Sequence, residues 1–351
     1  MGKEISHILC AEQTSQALEG SASDGFLSLL RDHARAFHFG SIAADTFFYS
    51  VRIPFTSKNT PSCGDMIHGA GGSDTARPVH EMLKSLRDAP NDPLFGEKAA
   101  FAGGFLTHIA LDSILHPYVY HVSGDYYADC PVERQQAQVR HRLIEAWLDL
   151  HLLRQTSRDL AGCAWLVDIR RNRAVNGELL KFFCTACEKA LEIESSCLRD
   201  LVRGYRVQMA LNAAFVKAPV ARLVRRADRI LAGRLGTFHA LFYPRWQNEI
   251  PREITDFNSF LHPVTGVKTE GGIQALWGEA LERSGTFLAS LDRFLFSGGD
   301  DDELRSSVQG YNLSTGMVGV TMRGAVHFDC IPVERLWPRP PAAKGLMRLR
   351  A

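Results

Sequence analysis

Net charge is almost absent from this chain: 40 Lys and Arg stand against 39 Asp and Glu, leaving +1 over 351 residues. Without a global field, no polyanion is recruited as it is by a strongly basic domain, so any nucleic-acid role must come from a local site. A long hydrophobic run is also missing. The most apolar stretch, residues 99–115, is interrupted by His108 and Asp112 and falls short of bilayer length. Met1-Gly2-Lys3-Glu4 leads into an apolar stretch too brief for a secretory leader. The expected location is therefore cytoplasmic, or outside the cell by a nonclassical route. No internal repeat period emerges. The eight cysteines scatter, and their one close pair, Cys184-Thr-Ala-Cys187, has no second pair at zinc-ribbon spacing. That pair lies among Leu180, Phe182 and Phe183 and reads as core helix, while free thiols suit a reducing compartment.

What is present is ordinary globular material, 45% hydrophobic and 23% charged, which excludes disorder and fibre. Apolar residues at three- and four-residue spacing predict helices over 26–37, 99–115, 132–154, 177–198, 206–235 and 274–296. Pro, Gly and Ser mark loops at 54–72, 88–93, 123–131, 251–272 and 297–302. The expected fold is all-α, a multi-helix bundle over residues 1–300 with a small irregular or β-containing C-terminal cap and tail over 301–351. Residues 308–333, rich in Gly, Val and Thr, supply that cap, and Trp337-Pro338-Arg339-Pro340-Pro341 cannot continue a helix. Arg222, Arg225, Arg226 and Arg229 recur at helical spacing opposite Leu223, Val224, Ala227, Ile230 and Leu231 and read as a solvated helix face.

Some of the thirteen histidines cluster where the cysteines do not. His108, Asp112 and His116 stand at i, i+4 and i+8, and at about 100° per residue they drift by about 40° per step, so one helical face carries all three. Their neighbours Ile109, Ala110, Leu111, Ile114 and Leu115 are apolar, and a carboxylate there is costly unless a cation compensates it. A second segment, His141 to Glu145, repeats the four-residue spacing at which one helix chelates a divalent ion. His33, His38, His80, His121, His151, His239, His262 and His327 lack paired spacing and read as surface or structural residues.

Together these motifs resemble the bacterial zinc-dependent phospholipase C family, an all-helical fold shared with fungal single-strand nucleases. The resemblance rests on Gly104-x-x-x-His108-x-x-x-Asp112-x-x-x-His116-Pro117 and His141-x-x-x-Glu145, with Gly40-Ser-Ile-Ala-Ala-Asp45, Gly64-Asp-Met-Ile-His68-Gly69 and Ser6-His7 in the family's order. It implies a phospholipase C-like bundle around two or three Zn2+ ions. One zinc site would use Asp45, His68, His108 and Asp112, and the next His116, His141 and Glu145. Secreted members place the last histidine of the helical motif slightly further from the Asp. A third site would use His7, a bridge from Asp112, and the amine of a mature N-terminal Trp; this chain instead starts Met1-Gly2, so loss of Met1 would have to expose the Gly2 amine.

The implied reaction is hydrolysis of a phospholipid to diacylglycerol and a phosphorylated headgroup, with Asp45 as general base and Asp112 as metal bridge. Histidine ligands must be neutral, so activity is expected to fall below about pH 6 as protons compete with metal. Tyr118 and Tyr120, with Tyr126 and Tyr127, are candidates for lining a headgroup pocket. The expected partner is a phospholipid or related phosphodiester, met by transient contact with a membrane surface, and no specific nucleic acid. Two rivals keep the metal: a single-strand nuclease, which would want stacking platforms and a basic groove, and a zinc-containing interaction protein without turnover, which would want a closed, cysteine-rich site.

Overall fold

The computed structural model describes residues 3–18, 22–50, 63–156, 158–160, 165–191, 197–244 and 249–337. The fold is all-α: sixteen α-helices lie among the described residues, beside one antiparallel pair of three-residue strands, Ser259–Leu261 with Lys268–Glu270. No helix among them is long and apolar enough to cross a membrane.

The bundle is built around the Phe95–Ser123 helix, which is buried continuously from Ala99 to Ser123. A helix that is apolar on all sides can be stable only with neighbours on all sides. Those neighbours include Glu4–Ala17, Ala34–Ala43, Arg77–Asp88, Pro131–Gln155 and Ile273–Phe296. The closest approach is to Ala34–Ala43, where two glycines meet reciprocally. A Cβ on Gly40 would lie 2.0 Å from Phe101 O, and one on Gly104 would lie 2.0 Å from Phe37 O. Two motif glycines thus let one ligand-bearing helix lie against the end of another.

Several boundaries differ from expectation. The predicted 26–37 helix is two, Asp24–Asp32 and Ala34–Ala43, because His33 leaves helical geometry at φ −109, ψ 30. The predicted 206–235 helix belongs to Cys197–Phe215 and Ala218–Ile230, the second of which starts where Pro219 fits a first helical turn. The central helix runs eight residues beyond its predicted end and passes through Pro117. Pro117 has no N–H to give Ser113 O, and the turn at Gly316 closes against that carbonyl: a Cβ on Gly316 would lie 2.1 Å from it. The strand pair falls inside the predicted 251–272 loop. Residues 308–333 form an irregular cap with an isolated bridge, Tyr311 to Val318. On Ala218–Ile230, Arg222, Arg226 and Arg229 are exposed as expected, but so are Leu223 and Ile230, which the spacing sets on the opposite side. The Pro-rich tail from 338 and residues 54–62 of the 54–72 loop lie outside the described residues.

Candidate metal centre

His108, Asp112 and His116 share one face of the central helix, as their spacing requires, and none is more than 4% exposed. Asp112 is the hub. Its Oδ1 lies 3.3 Å from His7 Nε2 and 3.4 Å from His116 Nε2, and its Oδ2 lies 3.2 Å from His108 Nε2 and 3.8 Å from His68 Nε2. Asp45, in the 3-10 turn Ala44–Tyr49 that continues Ala34–Ala43, places Oδ1 3.3 Å from His68 Nε2. On Pro131–Gln155, Glu145 Oε1 sits 3.0 Å from His141 Nε2 and 3.4 Å from His116 Nε2. Three groups result whose ligand atoms all fall within 4.8 Å of one another: Asp45, His68 and His108; His116, His141 and Glu145; and His7, His108 and Asp112. All eight expected ligands meet in one place. Met1 and Gly2, on which the N-terminal amine depends, lie outside the described residues.

Backbone carbonyls orient three of the rings. His108 Nδ1 donates to Ser41 O at 2.9 Å, His68 Nδ1 to Gly64 O at 2.7 Å and His116 Nδ1 to Leu313 O at 2.9 Å. A carbonyl can only accept, so Nδ1 carries the hydrogen and the Nε2 lone pair faces inward, the arrangement of a metal-binding imidazole.

Satisfaction of polar atoms separates a metal centre from a hydrogen-bonded core. Both oxygens of Asp45, Asp112 Oδ2, His116 Nε2 and His141 Nε2 are buried and make no hydrogen bond. Each such deficit costs about 1–3 kcal/mol and more for a charge, and breaking a buried ion pair costs about 3–5 kcal/mol. A protein network would have satisfied them; divalent ions do so at a stroke, and imidazole with carboxylate is a donor set that suits zinc. A cavity of about 20 Å³ among Lys3, Ser6, His7, Asp112, His116 and Glu145 has room for one small occupant.

Protonation states agree. Burial pushes the Asp112 carboxyl up, but His116, His108 and His7 outweigh it and hold it well below the usual range. Asp45 is also lowered: burial pushes it up, but the neighbouring His68 and His108 rings outweigh it. Burial above all takes His7 and His141 down to about 4. His108 is raised, because Asp112 overcomes the cost of burial. Near neutral pH the two aspartates are ionised, and His7 and His141 are neutral, as metal ligation requires.

The centre reaches solvent beside His68, which lines a cleft of about 490 Å³ together with Asp65, Asp125, Tyr127, Asp129 and Asn312. Of the tyrosine candidates, Tyr127 lines this cleft. Tyr118 does not: it stacks on Phe257 at 4.0 Å and donates to the carbonyls of Glu253 and Ile254. Tyr120 packs against His141, ring centroids 4.8 Å apart.

Other supporting residues have little or no sequence signal. Leu313 N donates to His68 O while Leu313 O accepts from His116, so one cap residue braces two ligands. Asn312 Nδ2 adds a bond to Gly69 O at 2.8 Å. Asp149 accepts from Ser6 N at 2.9 Å, Ile5 N at 3.3 Å and Tyr243 Oη at 2.6 Å, fixing the first turn of the helix that carries His7. Asp149 could have been found, because it continues the His141, Glu145 register by four residues.

No curated protein and no solved structure matches the chain. Residues 6–199, more than half of the chain, match the family model described as zinc dependent phospholipase C. The match spans every candidate ligand from His7 to Glu145, and this chain belongs to the zinc-dependent phospholipase C family.

Proposed function

We propose that the protein is a phosphodiester hydrolase of the phospholipase C type, cleaving a phospholipid to diacylglycerol and a phosphorylated headgroup. The observation that carries this reading is the set of buried, unsatisfied ligand atoms on Asp45, Asp112, His116 and His141, next to His68, which lines an open cleft. In it, Asp45, His68, His108 and Asp112 hold one zinc ion, His116, His141 and Glu145 a second, and His7 with Asp112 a third. Zinc in such a cluster lowers the pKa of a bound water to about 7 and offsets the charge developing on the phosphoryl oxygens.

The chain's residues do the rest. Asp45, ionised and with neither oxygen hydrogen-bonded, accepts the proton of the attacking water. Asp112 holds the rings of His7, His108 and His116 in register, and no protein nucleophile is required. The cleft admits the phosphodiester beside His68. Asp65, Asp125 and Asp129 along its wall outnumber the one cation there, Arg323, a balance that disfavours a polyanionic strand and favours a lipid with a cationic headgroup, to which Tyr127 offers an aromatic face.

Metal analysis of the purified protein, followed by parallel assays on phosphatidylcholine vesicles, a soluble phosphodiester and single-stranded DNA, tests this reading, with Asp112→Ala as control. Tightly bound zinc, preferential release of phosphocholine and loss of turnover in the variant are expected. Absence of zinc, or full activity in Asp112→Ala, would overturn the reading, and preferential DNA cleavage would transfer the centre to the nuclease reaction.

A further inference from the structure

A second convergence of donor atoms lies outside the histidine centre. Cys184 and Cys187 stand one turn apart on Arg173–Leu191, Cys197 opens Cys197–Phe215, and Cys63 opens the short helix Cys63–Ile67. Distant in sequence, they meet in the bundle: the Cys197 thiol hydrogen-bonds with Cys184 and Cys63, and Cys187 interacts electrostatically with Cys184 and Cys63. Cys184, Cys187 and Cys197 are at most 2% exposed, and none of the four is in a disulfide. Sγ of Cys184, Sγ of Cys197 and a carboxylate oxygen of Glu188 lie within 4.8 Å of one another, with Cys184 donating to Glu188 Oε1 at 3.4 Å.

A single buried cysteine behaves as a small hydrophobe. Four on three separate elements, with a carboxylate turned in beside them, do not follow from packing. Four sulfurs about 2.3 Å from a tetrahedral zinc lie about 3.8 Å apart; Sγ of Cys184 and Sγ of Cys197 are already within 4.8 Å of each other, and Cys63 and Cys187 would have to turn in to complete the set.

We propose that Cys63, Cys184, Cys187 and Cys197 bind one structural zinc ion as thiolates, at a site separate from the histidine and carboxylate centre. Loading releases four thiol protons, for which Glu188 is the nearest acceptor on the way to solvent. The consequence reaches the other centre. Cys63 begins the segment that ends at His68, and Gly64 O, one residue on, orients the His68 ring. Zinc at the cysteines would tie this segment to Arg173–Leu191 and Cys197–Phe215 and so fix one wall of the cleft.

Cobalt substitution tests the assignment without relying on activity, because thiolate ligands give Co2+ an intense near-ultraviolet charge-transfer band that imidazole and carboxylate do not. The full-length cobalt protein is expected to show this band, to keep it in an Asp112→Ala/His141→Ala variant, and to lose it in Cys184→Ser/Cys197→Ser. The cysteine variant should also carry one zinc fewer per chain. Absence of the band in the wild-type cobalt protein overturns the proposal whether or not the cysteine variant folds. So does a disulfide among the four residues in the metal-loaded protein, or their alkylation by iodoacetamide in that state. Equal zinc in a folded cysteine variant also counts against it.

Discussion

Asp112 is surrounded by more imidazole nitrogen than any neutral packing role would need, with His7, His68, His108 and His116 all within 3.8 Å of its carboxylate. Asn at this position keeps the shape and removes the charge. Asp112→Asn should therefore lower turnover by more than about 100-fold and reduce zinc content together, since even residues that only support metal ligands are worth about 10–100-fold. Full zinc content with full turnover would show that the charge is dispensable. His7 and His141 make a different prediction. Their pKa values fall from 6.5 to about 4 in the folded chain, mainly through burial, so the unfolded chain takes up protons that the folded one refuses between those values. Their contribution to stability is full above pH 6.5 and is lost as pH falls toward 4. The urea midpoint of chelator-treated protein should drop across that window, and the drop should shrink in His7→Gln/His141→Gln; an equal drop in the variant would place the titration elsewhere. The clustering of His108, Asp112, His116, His141 and Glu145 was legible in the sequence because helix geometry converts a four-residue spacing into a shared face. Leu313 was not, since it acts through backbone N–H and C=O, which every residue type other than proline also possesses.

Among the helices, the Gly40 and Gly104 contact sets how near Asp45 can come to His108. Replacing a helix-interior glycine by alanine normally gains about 0.5–1 kcal/mol. Here the added methyl would meet a backbone carbonyl at 2.0 Å, and overpacking of this kind costs about 1–3 kcal/mol. The clash decides the sign: Gly104→Ala should lower unfolding free energy and weaken zinc binding, as read by urea titration and metal content, whereas a neutral outcome would mean that the two helices separate freely. Gly316 is constrained twice, by φ 67 and by Ser113 O at 2.1 Å from its missing Cβ. Helix identity was largely readable from periodicity, but breaks were not. His33 interrupts one predicted helix without any proline or glycine at the break, and Pro117 fails to interrupt another because the cap occupies the gap it leaves.

At the scale of the molecule, the centre joins the first described helix to the last irregular segment. Because Leu313 bonds to both His68 and His116, metal that immobilises those rings also immobilises the cap. Hydrogen exchange should show chelation accelerating amides near 312–316 while those of Phe101 to Leu111, deep in the bundle, change little; equal acceleration in both would indicate global loosening instead. The same closure by Leu313 has a consequence for biosynthesis. A chain made from its N-terminus folds its early helices first, and His7 through Glu145 are all translated well before the residue that braces His68 and His116. The centre therefore stays unbraced on the ribosome until Leu313 emerges, so, if the proposed function holds, the order of synthesis itself delays hydrolysis: a nascent chain arrested before Asn312 should release no phosphorylated headgroup, and one arrested in a linker appended after Ala351 should.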